Sequence, residues 1–370
     1  MSAPLGKKLK AVKWGKFKVT DLFIIKNTRS ILASAIKENS GSIPYLCASA
    51  DNNSVSSYIS YNTNLLEEGN CIFIGGKTFV VSYQENDFFS NDSHNLVLYL
   101  KNSAHRTKNI QKFIASCIKS GIGYKYTWGN SISHTKMSKE SLSLPVNVSG
   151  AIDYTFMETF IRELEEERIR ELAAYLTASG LTDYHLTPPE IDIIYQFDKT
   201  VWGTFNLEKL YGKSTRGKRL KSADRVPGKL IFVTAGEANE GISAHIGNHV
   251  EIFPKNTTSI DMFGSAKYRN YEYGADDHVA VVHTENLPKY ASIFVTSAIH
   301  KAAHTGKFSY AKNFYAKDAD ELNISLPIKD GIPDYTFMAT FIRAVQKLVI
   351  KNVVRYTDKK ISAYKQVSTQ

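Results

Sequence analysis

The sequence has few cysteines and lacks long hydrophobic runs. Its three cysteines, Cys47, Cys71 and Cys117, form no Cys-x-x-Cys pair and leave an odd thiol, so the chain has neither a zinc-ligand pattern nor a disulfide framework. No apolar stretch approaches the roughly 20 residues that span a bilayer. Residues 1–18 carry lysines without the apolar segment of a secretion signal. We therefore expect a reduced, cytoplasmic protein.

The sequence also lacks the motifs of common nucleotide-dependent enzymes. Gly75-Gly-Lys-Thr78 is like the end of a phosphate-binding loop, but Cys71 stands where that motif needs a glycine. Gly121-Ile-Gly123 lacks the third glycine of a dinucleotide-binding turn. Thr187-Pro-Pro-Glu190 has neither end of the Asn/Asp-Pro-Pro-Tyr/Phe motif of adenine methyltransferases, and we interpret it as linker. The sequence therefore predicts no catalytic residues.

What the sequence does have is positive charge. The net charge is +10 and the isoelectric point is about 9.2, while 43% hydrophobic and 22% charged residues are typical of a folded protein. An excess of cations favours a polyanionic partner, because each neutralised phosphate releases counterions. The length of 370 residues suits two domains.

The chain repeats itself at an offset of about 181 residues. Asp153–Arg162 and Asp334–Arg343 are identical at nine of ten positions, and Trp14-Gly-Lys-Phe17 recurs as Trp202-Gly-Thr-Phe205. The edges of the two copies are alike, whereas their middles have diverged. A duplicated scaffold with two different middles is what reading two different targets would require; drift after duplication is the alternative.

The repeat predicts an α+β fold: a mixed α/β domain in tandem duplication, with a long helix after each copy. The middles contain short runs of β-branched and aromatic residues that predict strands. Those strands are predicted at 43–49, 70–74, 79–83, 95–100, 229–234, 249–253 and 278–283, and helices at 110–119 and 288–303. The predicted organisation is a first domain at 1–150, a first long helix at 151–180, a linker at 181–200, a second domain at 201–333 and a second long helix at 334–370.

The two long helices carry complementary patterns. Apolar residues recur at spacings of three and four, and the opposite faces are acidic in the first helix and basic in the second. We therefore expect the helices to pair as an intramolecular antiparallel coiled coil; the alternative is that each helix packs only on its own domain. The expected helix-pair or partner interface comprises Met157, Phe160, Leu164, Leu172, Met338, Phe341, Val345 and Leu348. The second stripe is expected to continue through Asn352 and Arg355, with Val349 and Val353 at its edge.

Three loops combine basic and aromatic residues: 123–130, 213–221 and 267–271. Lysine and arginine suit phosphate contacts, and arginine and asparagine can address base edges. A single loop of this kind is more often a solvated surface, but three in a duplicated chain favour DNA binding. The expected DNA-binding residues are Lys77, Tyr124, Lys125, Tyr126, Trp128, Asn130, Lys213, Arg216, Lys218, Arg219, Lys221, Lys267, Tyr268 and Arg269.

Two Asp/His pairs, Asp92-Ser-His94 and Asp276-Asp-His278, occupy matching places in the two copies. Such groups can bind a metal or transfer protons, but Asp and His at the start of a strand more often hold a turn. We interpret both pairs as turn and cap groups, and expect no metal site.

The order of these motifs resembles the specificity (S) subunits of type I restriction–modification systems and their shorter BcgI-like type IIB relatives. The resemblance rests on the two Trp-Gly-x-Phe motifs, the two Asp-Tyr-Thr-Phe-Met helix starts, and the stretches Ile43–Asn53, Asp261–Tyr268 and Tyr273–Val279. It implies two target-recognition domains that each read one half of a split site in double-stranded DNA. It also implies spacer helices that dock adenine-N6 methyltransferase and restriction subunits. Catalysis and the cofactor S-adenosylmethionine would belong to those subunits.

Three questions stay open at this point. Because the predicted long helices are shorter than in many type I members, the sequence does not decide between a type I and a type IIB system. A solitary specificity protein could act as a DNA-binding regulator without partner subunits. A tandem carbohydrate- or protein-binding module would explain aromatic loops, but neither the net charge nor the heptad spacing.

Overall fold

The computed structural model describes residues 3–368. The chain divides into two compact units: the described residues up to Ala174 together with those from Lys359 onward, and Tyr175–Asp358. Within the described residues, no helix combines the length and the apolar character needed to cross a bilayer.

The first unit has a four-stranded sheet, a three-stranded sheet and a separate strand pair. Its strands are β1 (Lys13–Lys18), β2 (Phe23–Asn27), β3 (Ile43–Leu46), β4 (Val55–Ile59), β5 (Cys71–Ile74), β6 (Val81–Gln84), β7 (Phe89–Ser90), β8 (Leu96–Leu100) and β9 (Ser141–Val146). Its helices are α1 (Ala3–Ala11), α2 (Val19–Leu22), α3 (Lys108–Ile122), α4 (His134–Met137) and α5 (Tyr154–Ala178), the last of which ends in the second unit. The sheet orders are β2-β8-β5-β6 and β4-β3-β7, and β1 pairs with β9.

The second unit repeats this arrangement. Its strands are β10 (Trp202–Asn206), β11 (Thr215–Arg216), β12 (Pro227–Val233), β13 (Ile242–Ile246), β14 (Thr257–Asp261), β15 (Ala266–Arg269), β16 (Tyr273–Ala275), β17 (Val279–Val282), β18 (Asn323–Lys329) and β19 (Ile332–Pro333). Its helices are α6 (Pro188–Gln196), α7 (Leu207–Tyr211), α8 (Lys289–Ala303), α9 (Ala316–Asp320) and α10 (Tyr335–Ser368), whose end lies in the first unit. The sheet orders are β11-β17-β14-β15 and β13-β12-β16, and β10 pairs with β18. The strand orders of the two units match apart from the additional short β19, which pairs with β18, and this confirms the duplication and the α+β fold class.

The four-stranded sheet of the first unit is buried on both faces. Alternate residues of β5 and β8 point to opposite sides: Ile72 and Leu98 pack with α3, whereas Phe73 and Val97 pack with Leu46 of the second sheet. Burial on both faces explains why these strands are continuous apolar runs in the sequence.

The repeated Trp-Gly-x-Phe motif serves strand pairing. A Cβ on Gly15 would lie 2.6 Å from Val146 Cγ1 of the partner strand, and one on Gly203 would lie 2.7 Å from Ile328 Cγ2. Only glycine permits this approach. The preceding tryptophan then stacks on the domain helix, with ring centroids 6.4 Å apart for Trp14 on Phe113 and 6.2 Å apart in the second unit.

The repeated aspartate begins each long helix. Asp153 Oδ1 accepts a hydrogen bond from the backbone N–H of Phe156, and Asp334 Oδ1 accepts one from Phe337, each at 2.8 Å. A side-chain oxygen three residues before an orphan N–H is the usual N-cap geometry. The Asp-Tyr-Thr-Phe-Met repeat is therefore a helix start.

Several elements differ from the sequence prediction. The segment 181–200, predicted as linker, contains α6, which precedes β10 as α1 precedes β1. The Pro-Pro dipeptide and the Thr187–Glu190 capping box, in which Glu190 Oε2 accepts the Thr187 N–H at 2.8 Å, are a helix start rather than linker.

The strand predicted at 249–253 is wrong. Phe253 makes one isolated bridge with Tyr273, and Pro254 follows it. The real central strand, β14, was missed because it is Thr-Thr-Ser-Ile-Asp. Its hydroxyl groups are buried but hydrogen-bonded, as between Thr258 and Thr296 at 2.6 Å. The polar residues of this strand therefore do not indicate that it is exposed to solvent.

The apolar stripe predicted along the second long helix is offset in its distal half. Leu348, Val349, Asn352, Val353 and Arg355 are exposed. The residues that are buried or half-buried there are Ile350, Val354, Thr357, Ile361 and Tyr364. The prediction was anchored at Met338, which belongs to the domain core, and a helix of 3.6 residues per turn drifts by about 20° per heptad.

One ion pair between an acidic residue of the first long helix and a basic residue of the second occurs within the first unit. Lys360 Nζ of α10 lies 3.0 Å from Glu165 Oε1 of α5. Pairing of the two helices as an antiparallel coiled coil along their length stays a prediction.

A buried ion cluster fixes α6 in the second unit. Lys347 Nζ lies 3.0 Å from Glu190 Oε2 and 2.8 Å from Asp183 Oδ2, and donates to His185 O at 2.9 Å. Burial tends to raise the pKa of Glu190, but hydrogen bonds from Thr187 and Lys347 outweigh it and lower that pKa.

Replacing Lys347 with methionine should leave the buried Glu190 carboxylate without its cation. We expect the free energy of unfolding in urea to fall by about 3 kcal/mol near neutral pH. Because the folded-state pKa of Glu190 is lowered, the contribution is present above its ordinary pKa and is lost as pH falls through the folded-state value. The difference from the unaltered protein should therefore shrink in acid.

Lys351→Met on the same helix is the control, since Lys351 is exposed, and should change stability by less than about 0.5 kcal/mol. Equal effects of the two substitutions would contradict the role of the cluster.

Candidate nucleic-acid interface

The loop 213–221 carries the most concentrated free positive charge among the sequence-predicted sites. Its five basic side chains are all exposed: Lys213, Arg216, Lys218, Arg219 and Lys221. Within the described part of the chain, none of the five forms an ion pair with a carboxylate. The loop can therefore contact phosphates without first breaking internal pairs.

The backbone of this loop is held against the sheet. Ser214 N donates to Asp320 Oδ1 at 2.7 Å, and Leu220 N donates to Asp276 Oδ1 at 3.1 Å. Between them, a Cβ on Gly217 would lie 1.8 Å from the Ala275 carbonyl oxygen. Because the backbone lies this close to the sheet, the basic side chains on either side point outward.

The third predicted loop has a structural role instead. Arg269 is 2% exposed, and its guanidinium donates to Ser259 Oγ, Tyr271 OH and Glu240 O at 2.8, 2.9 and 2.9 Å. Lys267 Nζ lies 3.3 Å from Glu237 and 3.4 Å from Asp261, and Tyr268 OH donates to Asn256 Oδ1 at 2.9 Å. The polar groups of these three residues thus already have partners inside the unit, and DNA contact by them stays a prediction.

The Glu240 carbonyl that Arg269 holds belongs to a repeated left-handed loop. Asn239, Glu240 and Gly241 have φ of 49°, 53° and 77°, and the equivalent residues 52–54 of the first unit have φ of 45°, 52° and 69°. In the first unit, Gln84 Nε2 donates to the Asn53 carbonyl at 2.9 Å. Gln84 therefore has the role there that Arg269 has in the second unit. Each loop thus needs a side-chain donor from the end of the neighbouring strand.

The first predicted loop, 123–130, is divided between exposed and buried residues. Tyr124 and Trp128 are each 77% exposed. Tyr126 is buried, stacks on Phe79 with ring centroids 5.1 Å apart, and donates to Glu140 Oε1 at 2.6 Å. Tyr126 therefore belongs to the core of its unit, and its contact with DNA stays a prediction.

Two other groups of this loop have internal partners. Lys125 Nζ lies 2.7 Å from Glu140 Oε2, and Asn130 Nδ2 donates to the Lys125 carbonyl at 2.8 Å. Burial raises the pKa of Glu140, but its bonds to Lys125 and Tyr126 outweigh burial and lower that pKa. At the surface, Lys125 thus provides a largely compensated charge.

The glycines beside Lys77 serve close packing. A Cβ on Gly76 would lie 2.3 Å from the His94 carbonyl oxygen. Lys77 Nζ lies 3.1 Å from Asp92 Oδ2, and Asp92 also accepts from the His94 backbone and ring at 2.9 and 2.7 Å. Burial raises the pKa of Asp92, but these bonds outweigh it and lower the pKa to about 2. Lys77 is exposed but paired.

The matching group in the second unit is Asp276, Asp277 and His278, whose ligand atoms lie within 4.8 Å of one another. Asp276 holds the Leu220 N–H, and His278 Nδ1 lies 3.0 Å from Asp277 Oδ1. Both Asp/His pairs make contacts within the turn that leads into β8 or β17, as expected of turn and cap groups.

The predicted interface residues of the long helices fall into two groups. Met157 and Phe160 are in the core of the first unit and Met338 is in the core of the second, with Leu164 and Phe341 packed against those cores. Leu172 and Val345 are half-buried, and Leu348 is exposed. The starts of the helices therefore pack on their own domains.

The sequence prediction missed Tyr310, which is 84% exposed. It lies in a short turn, Ser309–Lys312, equivalent to Thr127–Asn130, and each turn closes with an antiparallel bridge. The sequence repeat could have identified Tyr310, because aligning the two copies at an offset of 182 residues pairs Tyr310 with Trp128.

Comparison with known proteins agrees with this geometry. Residues 11–174 match the family described as Type I restriction modification DNA specificity domain. The chain is 23% identical, over 348 residues, to the Type II restriction enzyme specificity subunit S.BcgI of Heyndrickxia coagulans; the match covers 92% of this chain and 96% of that protein.

The fold is shared with a solved structure, the S subunit of a type I restriction–modification system from M. genitalium. The TM-score is 0.59 with 15% identity, covering 96% of this chain and 94% of the other. The resemblance to specificity subunits is confirmed. Both units have the topology of the domain that the family match assigns to the first.

The structural role of Arg269 is testable. Arg269→Met should leave three buried or half-buried acceptors without a donor and lower the free energy of unfolding by about 2 to 4 kcal/mol in a urea titration. Arg216→Met, on an exposed side chain, should change it by less than about 0.5 kcal/mol. If Arg269→Met kept full stability and lost only DNA affinity, Arg269 would be a DNA contact after all.

Proposed function

We propose that this chain is the DNA sequence-recognition subunit of a restriction–modification complex, because residues 11–174 match the family described as Type I restriction modification DNA specificity domain. The observation that carries the proposal is the loop 213–221. It places five exposed cations without carboxylate partners, among the described residues, on a rigidly anchored backbone.

Each unit reads its own half of a two-part site. The two units share a topology, but their exposed charges differ: the second unit carries the free basic loop, whereas the stretch in the first unit between β2 and β3 has Arg29 paired with Glu67 at 3.2 Å. Surfaces with different charges on the same scaffold recognise different sequences.

Catalysis belongs to partner subunits. The chain carries no methyltransferase or phosphate-binding motif, and we propose that an adenine-N6 methyltransferase with S-adenosylmethionine docks on the long helices. The exposed Leu348 and Val349 of α10 are apolar surface that such a partner can cover. The three thiols are free, which suits a reducing cytoplasm. Burial raises the pKa of Cys71 and Cys117 to about 12, so these two thiols are inert.

Removing two of the free cations should weaken DNA binding through charge. For Lys218→Ala/Arg219→Ala we expect weaker binding to duplex DNA, with the slope of log K against log salt reduced in magnitude by about 1 to 2. Fluorescence anisotropy over a salt series measures both quantities.

Lys351→Ala/Lys359→Ala removes the same charge from exposed positions on α10 and should leave the slope unchanged. A slope that is the same for the loop variant and the unaltered protein would place the loop away from DNA and remove the main support for the proposal.

Methylome sequencing should report the recognised sequence directly. In cells that express this chain with its methyltransferase, we expect methylation at one motif with two unrelated half-sites separated by unread bases. Introducing Lys218→Ala/Arg219→Ala should lower the methylated fraction at that motif without changing the bases read, because phosphate contacts carry no sequence information. A continuous or palindromic motif would contradict recognition by two dissimilar units.

A further inference from the structure

Both units present one exposed aromatic side chain at the tip of the same tight turn. The turns, Thr127–Asn130 and Ser309–Lys312, follow the domain helices α3 and α8 and precede α4 and α9. Trp128 is 77% exposed and Tyr310 is 84% exposed. Trp128 is among the expected DNA-binding residues, but the repetition of an exposed aromatic group at the equivalent position of a diverged second unit adds Tyr310 and indicates a shared role.

The turn of the first unit is rigid. Thr127 and Asn130 exchange backbone hydrogen bonds of 3.3 and 3.0 Å, and Lys136 Nζ donates to Asn130 Oδ1 and to Ser131 O, each at 2.7 Å. Ile132 N donates to the Gly76 carbonyl at 3.0 Å, which joins the turn to the sheet. Trp128 therefore projects from a fixed base.

The turn of the second unit is built in the same way. Ser309 and Lys312 exchange bonds of 2.9 and 3.0 Å, and Phe314 N donates to the Met262 carbonyl at 2.9 Å. The rings of Tyr310 and Phe263 form a T-shaped contact, with ring centroids 5.2 Å apart. This contact supports the Tyr310 side chain while most of it stays in solvent.

The stretches of sequence that contain the two turns lack acidic residues. No Asp or Glu occurs in residues 93–139 or 286–317, which contain the two turns and many lysines. The next carboxylates along the chain are engaged: Glu140 pairs with Lys125, and Asp318 accepts the Tyr315 N–H at 2.8 Å. A protein partner could bind a surface of mixed charge equally well, whereas exposed rings on segments rich in lysine and free of acidic residues suit a polyanion that also has aromatic faces.

We propose that Trp128 and Tyr310 each stack on a nucleobase of bound duplex DNA, one in each unit, while neighbouring lysines contact phosphates. This inference rests on the proposed function and adds to it the kind of contact that these two side chains make. Stacking requires a flat ring, a fixed base and an open face, and each turn supplies all three. A wedge of this kind unstacks a base step at flexible sequences, so it contributes to recognition without hydrogen bonds to base edges.

Tryptophan fluorescence gives the direct test. In the full chain carrying Trp14→Phe/Trp202→Phe, Trp128 is the single tryptophan. We expect its emission to be quenched by a random-sequence duplex and not by heparin, which has the charge of a polyanion but no bases. Unquenched emission on a duplex that anisotropy shows to be bound would overturn the proposal for Trp128.

Alanine variants test both units by DNA affinity, without relying on tryptophan fluorescence. Trp128→Ala and Tyr310→Ala should each weaken duplex binding by about 10-fold and leave the salt slope unchanged, because no charge is lost. Tyr195→Ala, which removes an equally exposed ring (77%) on α6, is the matched control and should bind as the unaltered chain does.

The outcomes separate this inference from the proposed function. If the unaltered chain binds duplex DNA with a salt-dependent affinity and both variants match it, the stacking role is wrong and DNA recognition stands. If a variant changes the salt slope as Lys218→Ala/Arg219→Ala does, the ring acts through charge placement and stacking is again wrong. If the unaltered chain binds no DNA, alone or with its methyltransferase, both proposals fall.

Discussion

Each unit depends on the pairing of its first strand with its last. β1 and β9, and β10 and β18, are antiparallel, and a glycine in each earlier strand leaves room for a branched side chain, Val146 or Ile328, of its partner strand. That pairing stacks the preceding tryptophan on the domain helix and leads into the Asp-capped start of the long helix. Everything between the two strands, including the basic loop and the aromatic turn, is a closed insertion whose ends are fixed. The middles can therefore diverge in charge while the frame is kept.

The parts of the fold that were predictable are those where a residue type has one physical use. An aspartate three residues before an unpaired N–H caps a helix, and unbroken apolar runs such as Cys71–Ile74 form strands buried on both faces. Prediction failed where a residue type has two uses. Thr257 and Thr258 are buried in a central strand because hydroxyl groups can be satisfied internally. The start of α6 has a proline pair, and such a pair occurs in linkers as well as in the first turn of a helix.

Sequence-based prediction of the candidate interface was limited in the same way, because a basic residue can either bind DNA or serve an internal contact. Lys267 and Arg269 were indistinguishable in sequence from Lys218 and Arg219, since all are basic residues in loops or short strands near aromatic groups. Only the fold shows that the first pair already has carboxylate, hydroxyl and carbonyl partners, whereas the second pair has none among the described carboxylates. Long-range partners decide which cations are available to a ligand, and Glu237 or Glu240 is some thirty residues away in the chain. Tyr310 could have been found by alignment of the two copies alone.

The antiparallel pairing of first and last strands has a mechanical consequence. Lys13 lies opposite Val146 and Lys18 opposite Ser141, so the chain enters and leaves the unit at the same end of the ladder. Tension applied through the flanking helices loads the ladder at that end, and its hydrogen bonds then break one after another instead of sharing the load. Each unit should yield to low pulling forces by peeling. A ladder of the same length with its ends at opposite sides would resist in shear and hold far longer.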